Sequence, residues 1–482
     1  MEIVLFAVAL FLILAAGRGI AMLLLPRHRP TTTVEIFCLA FLFGAAFVSL
    51  ASFALGFFGA GRPLRLTITL CCLALFGFGW RMRPKPIEDR GSKIEDRRSR
   101  IENRPTRDYA IFNPRSSILN LRPSSRSWLP AAMALPMIGL VVWLSRLRTL
   151  GWDGLFNWEI KARIAFLNGG AIPLDFFSDP TRPWTLQGYP LLLPLTEAWF
   201  YGWMGSADQE LIKLLFPLFY AAALGLIAVG VARAGCAVWQ TVFAFLLIAA
   251  TPLALVGDGS ASSGYADFPL AVFYLAAVVY LVEYWIEDAE RSLRLLGYLA
   301  AVMCWVKQEG AVLWLCLIAL AAIKVVQRRQ ARQLPELILP GLALLIGWRV
   351  FVGFVKPPTG DNFLPFTPQT LWDNLNRATV IFPSAVNEML NWKHWGVLWP
   401  MAAVSIALLA GDRRLAALAA AVIAPIALYC GVYFFSAWPG FDTHMSSSFP
   451  RLLIHVTPVA VMAVVIAAGG VRARFDRQSA RA

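Results

Sequence analysis

Three properties of the sequence predict an all-α, polytopic integral membrane protein. Hydrophobic residues make up 58% and charged residues 15% of the 482 positions. The mean hydropathy is +0.62. The third property is a succession of apolar runs, many near the roughly 20 residues that cross a bilayer as a helix. A soluble domain carries roughly 25% charged residues, so this chain has too few to cover a water-facing surface. The same figures exclude a largely disordered chain, a collagen-like chain and a disulfide scaffold. The 18 Trp, 33 Phe and 11 Tyr suit aromatic belts at the membrane interfaces. The seven Cys lie in or beside apolar runs without metal-ligand spacing and read as small core residues.

The apolar runs fall at 3–25, 34–58, 64–80, 129–147, 211–232, 238–256, 268–286, 294–306, 311–327, 336–355, 397–411, 415–436 and 450–470. Met1-Glu2 lacks the basic start of a signal peptide, so the first run reads as a span. The net charge of +14 comes from 43 Lys+Arg against 29 Asp+Glu. In a membrane chain such an excess marks cytoplasmic loops rather than nucleic-acid binding. The Arg-rich segment 81–127, the stretch 328–332, the turn 412–414 and the tail with Arg472, Arg474, Arg477 and Arg481 are therefore expected inside. The loops 148–210, 257–267, 356–396 and 437–449 are then outside.

Parity tests this assignment. Passing from an outer loop at 150 to an inner one at 328 requires an odd number of crossings; six apolar runs lie between them once 190–204 is counted, so one of them does not cross. The run 190–204 is short, carries Pro190, Pro194 and Glu197, and ends in aromatics. It reads as a helix lying at the outer interface. About thirteen spans result, with the N-terminus outside and the C-terminus cytoplasmic. Within 87–107 the pattern Ile-Glu-Asp-Arg recurs, varied to Ile-Glu-Asn-Arg, with one apolar residue per seven. A coiled-coil seam needs two, so the segment reads as a solvated loop or as a contact with anionic lipid heads.

The few charges expected outside are candidates for chemistry. Asp153, Glu159, Lys161 and Arg163 sit among Trp152, Phe156 and Trp158, just where a span ends. Glu159 and Arg163 are four apart and can simply pair on a helix. Asp153 lies beside glycines at the membrane lip, and reads as a helix N-cap or as a catalytic acid. Asp267, followed by Pro269, closes a small-residue loop and has the same two readings. Lys307-Gln308-Glu309-Gly310 is either a polar turn with an ion pair or a cation aimed at a phosphate. Arg451 and His455 are one helical turn apart at the start of the last run. An Arg there either snorkels to the interface or binds an anionic head group. Two acids with cations at one membrane face fit transfer of a sugar from a lipid phosphate carrier. A carboxylate can deprotonate the acceptor hydroxyl, and cations can stabilise the departing phosphate.

Taken in order, Trp152-Asp153, Lys161-Ala162-Arg163, Gly188-Tyr189-Pro190-Leu191, Tyr265-Ala266-Asp267 and Lys307-Gln308-Glu309-Gly310 resemble the GT-C superfamily of membrane glycosyltransferases. The resemblance is to the bacterial branch related to the protein mannosyltransferases and the aminoarabinose transferase of lipid A. It covers roughly 150–310, with an echo at 446–458. It implies a catalytic Asp in the first outer loop at Asp153, juxtamembrane helices in that loop, a second acid at Asp267 and a phosphate-side cation at Lys307. It also implies a polyprenyl-phosphate sugar donor and inversion at the anomeric centre. The chain differs from relatives in lacking paired acids, since Gly154 follows Asp153, and in having three spans before the family core.

The resulting organisation is an N-terminal three-span extension at 1–80, a basic low-complexity cytoplasmic loop at 81–127 and a GT-C-like catalytic core at 128–355. An outer loop at 356–396 and the C-terminal spans and basic tail at 397–482 follow. The expected activity is glycosyl transfer at the outer face of the cell inner membrane, with Asp153 as the catalytic general base and Asp267 as a second catalytic-site acid that positions acceptor or donor. Glu159, Lys161, Arg163, Tyr189, Lys307, Glu309, Arg451 and His455 are expected to bind substrate. The expected partners are the lipid-linked donor, a lipid or glycan acceptor and membrane lipids, with no nucleic acid. No cofactor is required; two acids can hold a divalent cation, but no His/Asp/Glu cluster demands one. The rival reading is a secondary transporter or lipid flippase. Such proteins place charges at the midplane and often show internal repeats. Here Arg18 is the clearest mid-run charge, and no two-fold similarity is visible.

Overall fold

The computed structural model describes residues 1–25, 31–81, 128–287, 290–358 and 362–479. Among these the protein is all-α, with one isolated antiparallel bridge between Phe363 and Ser436. The repeat at 87–107, the rest of 82–127 and Arg481 lie outside the described residues.

Each apolar run becomes a helix, because lipid leaves the backbone no hydrogen-bond partner but itself. In chain order these are α1 (Glu2–Leu24), α2 (Thr33–Gly56), α3 (Arg62–Arg81) and α4 (Leu129–Leu147). After the first large loop, with α5 (Ile160–Leu167) and α6 (Leu192–Met204), come α7 (Leu215–Arg233), α8 (Val238–Ala249) and α9 (Asp267–Glu287). Then follow α10 (Glu290–Val306), α11 (Gly310–Gln327), α12 (Leu334–Val355), α13 (Ala378–Met389), α14 (Leu398–Ala410) and α15 (Ala416–Val432). The chain ends with α16 (Phe441–Ile454) and α17 (Thr457–Ser479). Among the described residues nine helices are long and apolar enough to cross a membrane, or ten if the pair α16–α17 counts as one. The helices α8, α10 and α14 are apolar but shorter.

Three expectations change. The last span does not begin at 450. Helix starts at Phe441 and bends by 53° between α16 and α17, so most of the expected loop 437–449 is helical. Pro458 stands in the first turn of α17 and supplies no N–H, which favours a break there. The segment 356–396, expected as an outer loop, carries α13 and shorter helical turns. The helix at 190–204 exists, but it is not laid open on an interface. Leu192–Tyr201 are all buried, covered by α1, α2 and α5. At 13 residues it is about 20 Å long, too short to cross alone.

Contacts sort the loops onto two ends of the bundle. At one end Ser206 donates to Glu2 at 2.7 Å, and Gly61 N–H donates to the Gly169 carbonyl at 2.7 Å. Gln308 donates to the Gly188 carbonyl at 3.3 Å, and Arg377 to the Tyr433 carbonyl at 3.1 Å. At the other end Arg233 pairs with Glu283 at 2.9 Å and Arg294 with Glu336 at 2.9 Å. Lys324 there donates to the Trp285 carbonyl at 3.0 Å. The central helix is α9: 89% of its span is buried, against α7, α10, α11, α15 and α17.

Small residues set the tightest approach. A Cβ on Gly17 would stand 1.8 Å from the Ala40 carbonyl oxygen, and one on Gly44 1.9 Å from that of Ile13. The backbones of α1 and α2 therefore touch, where packing rather than hydrophobic transfer holds helices together. Arg18, the mid-run charge, lies 5.7 Å and 5.6 Å from the ring centroids of Phe76 and Trp80 on α3, so aromatic faces cover it.

Gly44→Leu is expected to separate α1 from α2 and to cost about 1–3 kcal/mol, read as a lower melting temperature in detergent. Thr181→Cys and Ser447→Cys should react with an impermeant thiol reagent from one side of sealed vesicles, and Ala331→Cys from the other. Labelling of all from a single side would overturn the two-ended arrangement.

Candidate active site

Asp267 is the first residue of α9 and is fully buried. Its Oδ1 accepts from Lys307 Nζ at 2.7 Å and lies 3.0 Å from His455 Nε2. Its Oδ2 accepts from Arg451 Nη2 at 3.1 Å. The same Arg451 nitrogen stands 2.6 Å from Asp153 Oδ2, and Lys307 Nζ also reaches Glu309 at 2.9 Å. His455 Nε2 faces a carboxylate and so donates; in the neutral ring Nδ1 then accepts from the Tyr429 hydroxyl, 3.0 Å away. The result is one connected network of three carboxylates, two cations and an imidazole at the end of the bundle that holds the large loops.

Local sequence explains how these groups meet. The glycines beside Asp153 are there for close approach. A Cβ on Gly151 would stand 2.5 Å from the Tyr265 ring, and one on Gly154 2.8 Å from the Ser263 carbonyl oxygen. Gly151 N–H donates to that carbonyl at 2.9 Å, pinning the first loop to the loop that ends in Asp267. Asp153 makes no capping bond to the helical turn it precedes, because its side chain turns to Arg451. Gly310 plays the same part in the α10–α11 turn, where a Cβ would meet the Met303 carbonyl oxygen at 1.9 Å. That tight reversal places Lys307 and Glu309 side by side. Lys307 is buried, which alone would lower its pKa, but Asp267 and Glu309 hold it above the ordinary lysine value.

The network has a closed side and an open side. Asp267 and His455 have no exposed side-chain surface and Lys307 has 4%. Asp153, Arg451 and Glu309 have 21%, 21% and 23%, so an incoming molecule meets these first. Glu309 Oε2 and Arg451 Nε are buried without a hydrogen-bond partner, which leaves the mouth of the site incompletely satisfied. Arg451 does not snorkel outward. Its guanidinium sits 4.7 Å from the Tyr265 ring centroid, between that ring and the two acids.

Tyr189 packs its ring against Trp158, with centroids 5.8 Å apart, and makes no bond to the network among the described residues. Burial, and then the charge of Glu309, push its phenol well above the ordinary value. The Gly188 carbonyl is held by Gln308 at 3.3 Å and by the Trp348 indole at 3.1 Å. Glu159, Lys161 and Arg163 are not brought into the network. Glu159 pairs with Arg163 at 2.9 Å and accepts from the Tyr201 hydroxyl at 3.1 Å. Lys161 is buried and donates to Asn157 Oδ1 at 2.8 Å and to the Leu186 carbonyl at 2.9 Å. These residues brace the π-helical turn Gly154–Glu159 and α5, which carry Asp153. Glu197 lies beside them, and burial, with Glu159 adding to it, raises its pKa well above the carboxylate range.

Tyr265 and Tyr429 were not anticipated as site residues. Tyr265 stands two residues before Asp267, where an aromatic in a small-residue loop is the available signal. Tyr429 sits inside an apolar run, and nothing in its neighbourhood marks it. Among the described residues no group of three His, Cys, Asp or Glu is placed to hold a metal ion. The carboxylate oxygens of Asp267 are taken by cationic side chains and His455. Compared with known proteins, the chain matches no family model, no curated protein and no solved structure.

Asp267→Ala would strand Lys307 and Arg451 without their shared partner. A loss of roughly 3–5 kcal/mol is expected, seen as a lower melting temperature in detergent. Lys161 supplies a pH test. Burial holds its pKa well below the ordinary lysine value, against an opposing pull from Asp153. Its protonation therefore disfavours the folded state. The deficit is complete below the folded pKa and is recovered as pH rises toward about 10.4, the unfolded value. Lys161→Met should flatten the rise in melting temperature across that window.

Proposed function

We propose that the protein is a membrane glycosyltransferase. It moves a sugar from a polyprenyl-phosphate carrier to a hydroxyl of a lipid or glycan acceptor, at the outer face of the inner membrane. The proposed topology has about thirteen crossings, N-terminus outside and C-terminus cytoplasmic, with the site at the outer lip. The observation that supports this reading best is the pairing of a half-open acid, Asp153, with an arginine that a buried acid already holds.

Asp153 Oδ2 is engaged by the Arg451 guanidinium at 2.6 Å. The donor's phosphate is an anion that competes for Arg451. As it takes the guanidinium, Asp153 is left beside the anomeric carbon with its lone pairs free. The acceptor oxygen then attacks that carbon, and its proton passes to Asp153. The bond from the anomeric carbon to the phosphate oxygen breaks, and its electron pair leaves with the polyprenyl phosphate. Arg451 and Lys307 stabilise the growing negative charge. Attack from the face opposite the phosphate inverts the anomeric centre. Asp267 does not touch substrate in this scheme. With no exposed surface, it is a positioning residue for both cations.

The transporter reading draws less support. Asp267 and Glu283 mark charge networks near opposite ends of α9, about 24 Å apart along the helix. A transport site is expected near the midplane instead.

Asp153→Asn in the purified, reconstituted protein should lower transfer from radiolabelled undecaprenyl-phosphate sugars by about 10²–10⁴-fold, with the melting temperature little changed. Unchanged transfer would remove Asp153 as the base. Absence of transfer by the wild type from every donor tried would remove the glycosyltransferase reading.

A further inference from the structure

A cavity of about 190 Å³ lies at the same end of the bundle, between α3, α5 and α6, beside the outer half of α2. Leu64, Ile68, Phe166 and Trp199 give it apolar walls, and Arg62 and Arg65 line it from the first turn of α3. Both arginines are on the unfavourable end of a helix, where exposed N–H groups already present positive charge. The first turn of α3 contains no acid. Among the described residues no carboxylate pairs with either guanidinium and none lines the cavity. Arg65 instead donates to the Gly202 carbonyl and lies 5.8 Å from the Trp203 ring centroid. Arg62 is exposed.

We propose that this cavity binds one anionic phospholipid, with its phosphate on Arg62 and Arg65 and an acyl segment between the apolar walls. Charge complementarity selects the head group, since two guanidiniums and a helix N-terminus converge with no anion from the protein. The walls select the tail. Leu66, Leu70 and Leu73 on α3 are exposed, so a lipid-facing helix surface flanks the cavity. A water takes about 30 Å³ of liquid volume, so the space is a few waters in size and holds a short chain segment but not a folded domain or a peptide helix. The bound lipid would bridge α3 to the loop helices α5 and α6. The inference stands apart from the proposed chemistry, because none of its residues belongs to the Asp153–Asp267 network.

The test uses the full-length protein in nanodiscs with a trace of diazirine-bearing phosphatidylglycerol, or of the matching phosphatidylcholine. Adducts are mapped by mass spectrometry. The expected result is phosphatidylglycerol labelling concentrated in peptides spanning 61–68 and 198–202, with phosphatidylcholine labelling them weakly. Arg62→Ala with Arg65→Ala should reduce the labelling about tenfold or more, and Arg62→Lys with Arg65→Lys should retain most of it. The lysine variant also reports whether the alanine variant failed only by misfolding. Equal labelling by the two lipids, or labelling unchanged in the alanine variant, would overturn the proposal. Loss of the labelling when an equimolar amount of farnesyl phosphate is present during irradiation would also overturn it, assigning the cavity to the carrier. No readout here depends on sugar transfer, so the two proposals fail separately.

Discussion

Asp267 carries more of this structure than any other single side chain. Its two oxygens face groups from separate parts of the chain: Lys307 in the α10–α11 turn, and Arg451 and His455 at the lower end of α16 and just past it. A carboxylate so deep is tolerable only with such partners, since desolvating an unpaired charge costs several kcal/mol. The requirement runs in both directions. Without the acid Lys307 would keep only Glu309 and Arg451 only Asp153 as an anionic partner, and Asp153 would have no fixed partner without Arg451. The site is therefore assembled around a buried anion and opens to the surface through its outer members.

The network has a closed half and an open half. The closed half, Asp267, His455 and Tyr429, has its polar atoms engaged within the protein. The open half retains Glu309 Oε2 and Arg451 Nε without partners. Buried polar atoms without a partner occur at several places among the described residues, and these two stand at the open side of the network. The loop holding Asp153 has its own support, independent of the network, in the Glu159–Arg163 pair and the bonds made by Lys161. Glu159, Lys161 and Arg163, singled out from sequence as substrate ligands, are engaged in these bonds within the protein.

The helices were legible because apolar run length is a strong signal in a chain with so few charges. The ends of the elements were less so. Pro450 did not stop α16, and the bend came after it, at His455 and Val456, ahead of Pro458. The site residues were legible as types and only partly as partners. Asp153, Asp267, Lys307 and Arg451 were all singled out from sequence, but their pairing was not. Arg451 is 184 positions from Asp267, and no local pattern encodes a contact of that length. Glu159 and Arg163 show the converse, since four-residue spacing is itself a local pattern and the pair formed. Tyr429 was invisible because its hydroxyl matters only through His455.

The 184-residue separation also has a consequence for how the protein is made. The central helix α9 enters the membrane with Asp267 at one lip and Glu283 near the other. Arg233, the partner of Glu283, has already been synthesised, whereas Arg451 has not. Between those two moments the ribosome adds α10 through α15 while Asp267 has Lys307 as its earliest available cation. The nascent helix is thus anchored first at one end and locked at the other only as the last helices arrive. A chain shortened before Arg451 would lack the partner that Asp267 Oδ2 and Asp153 share.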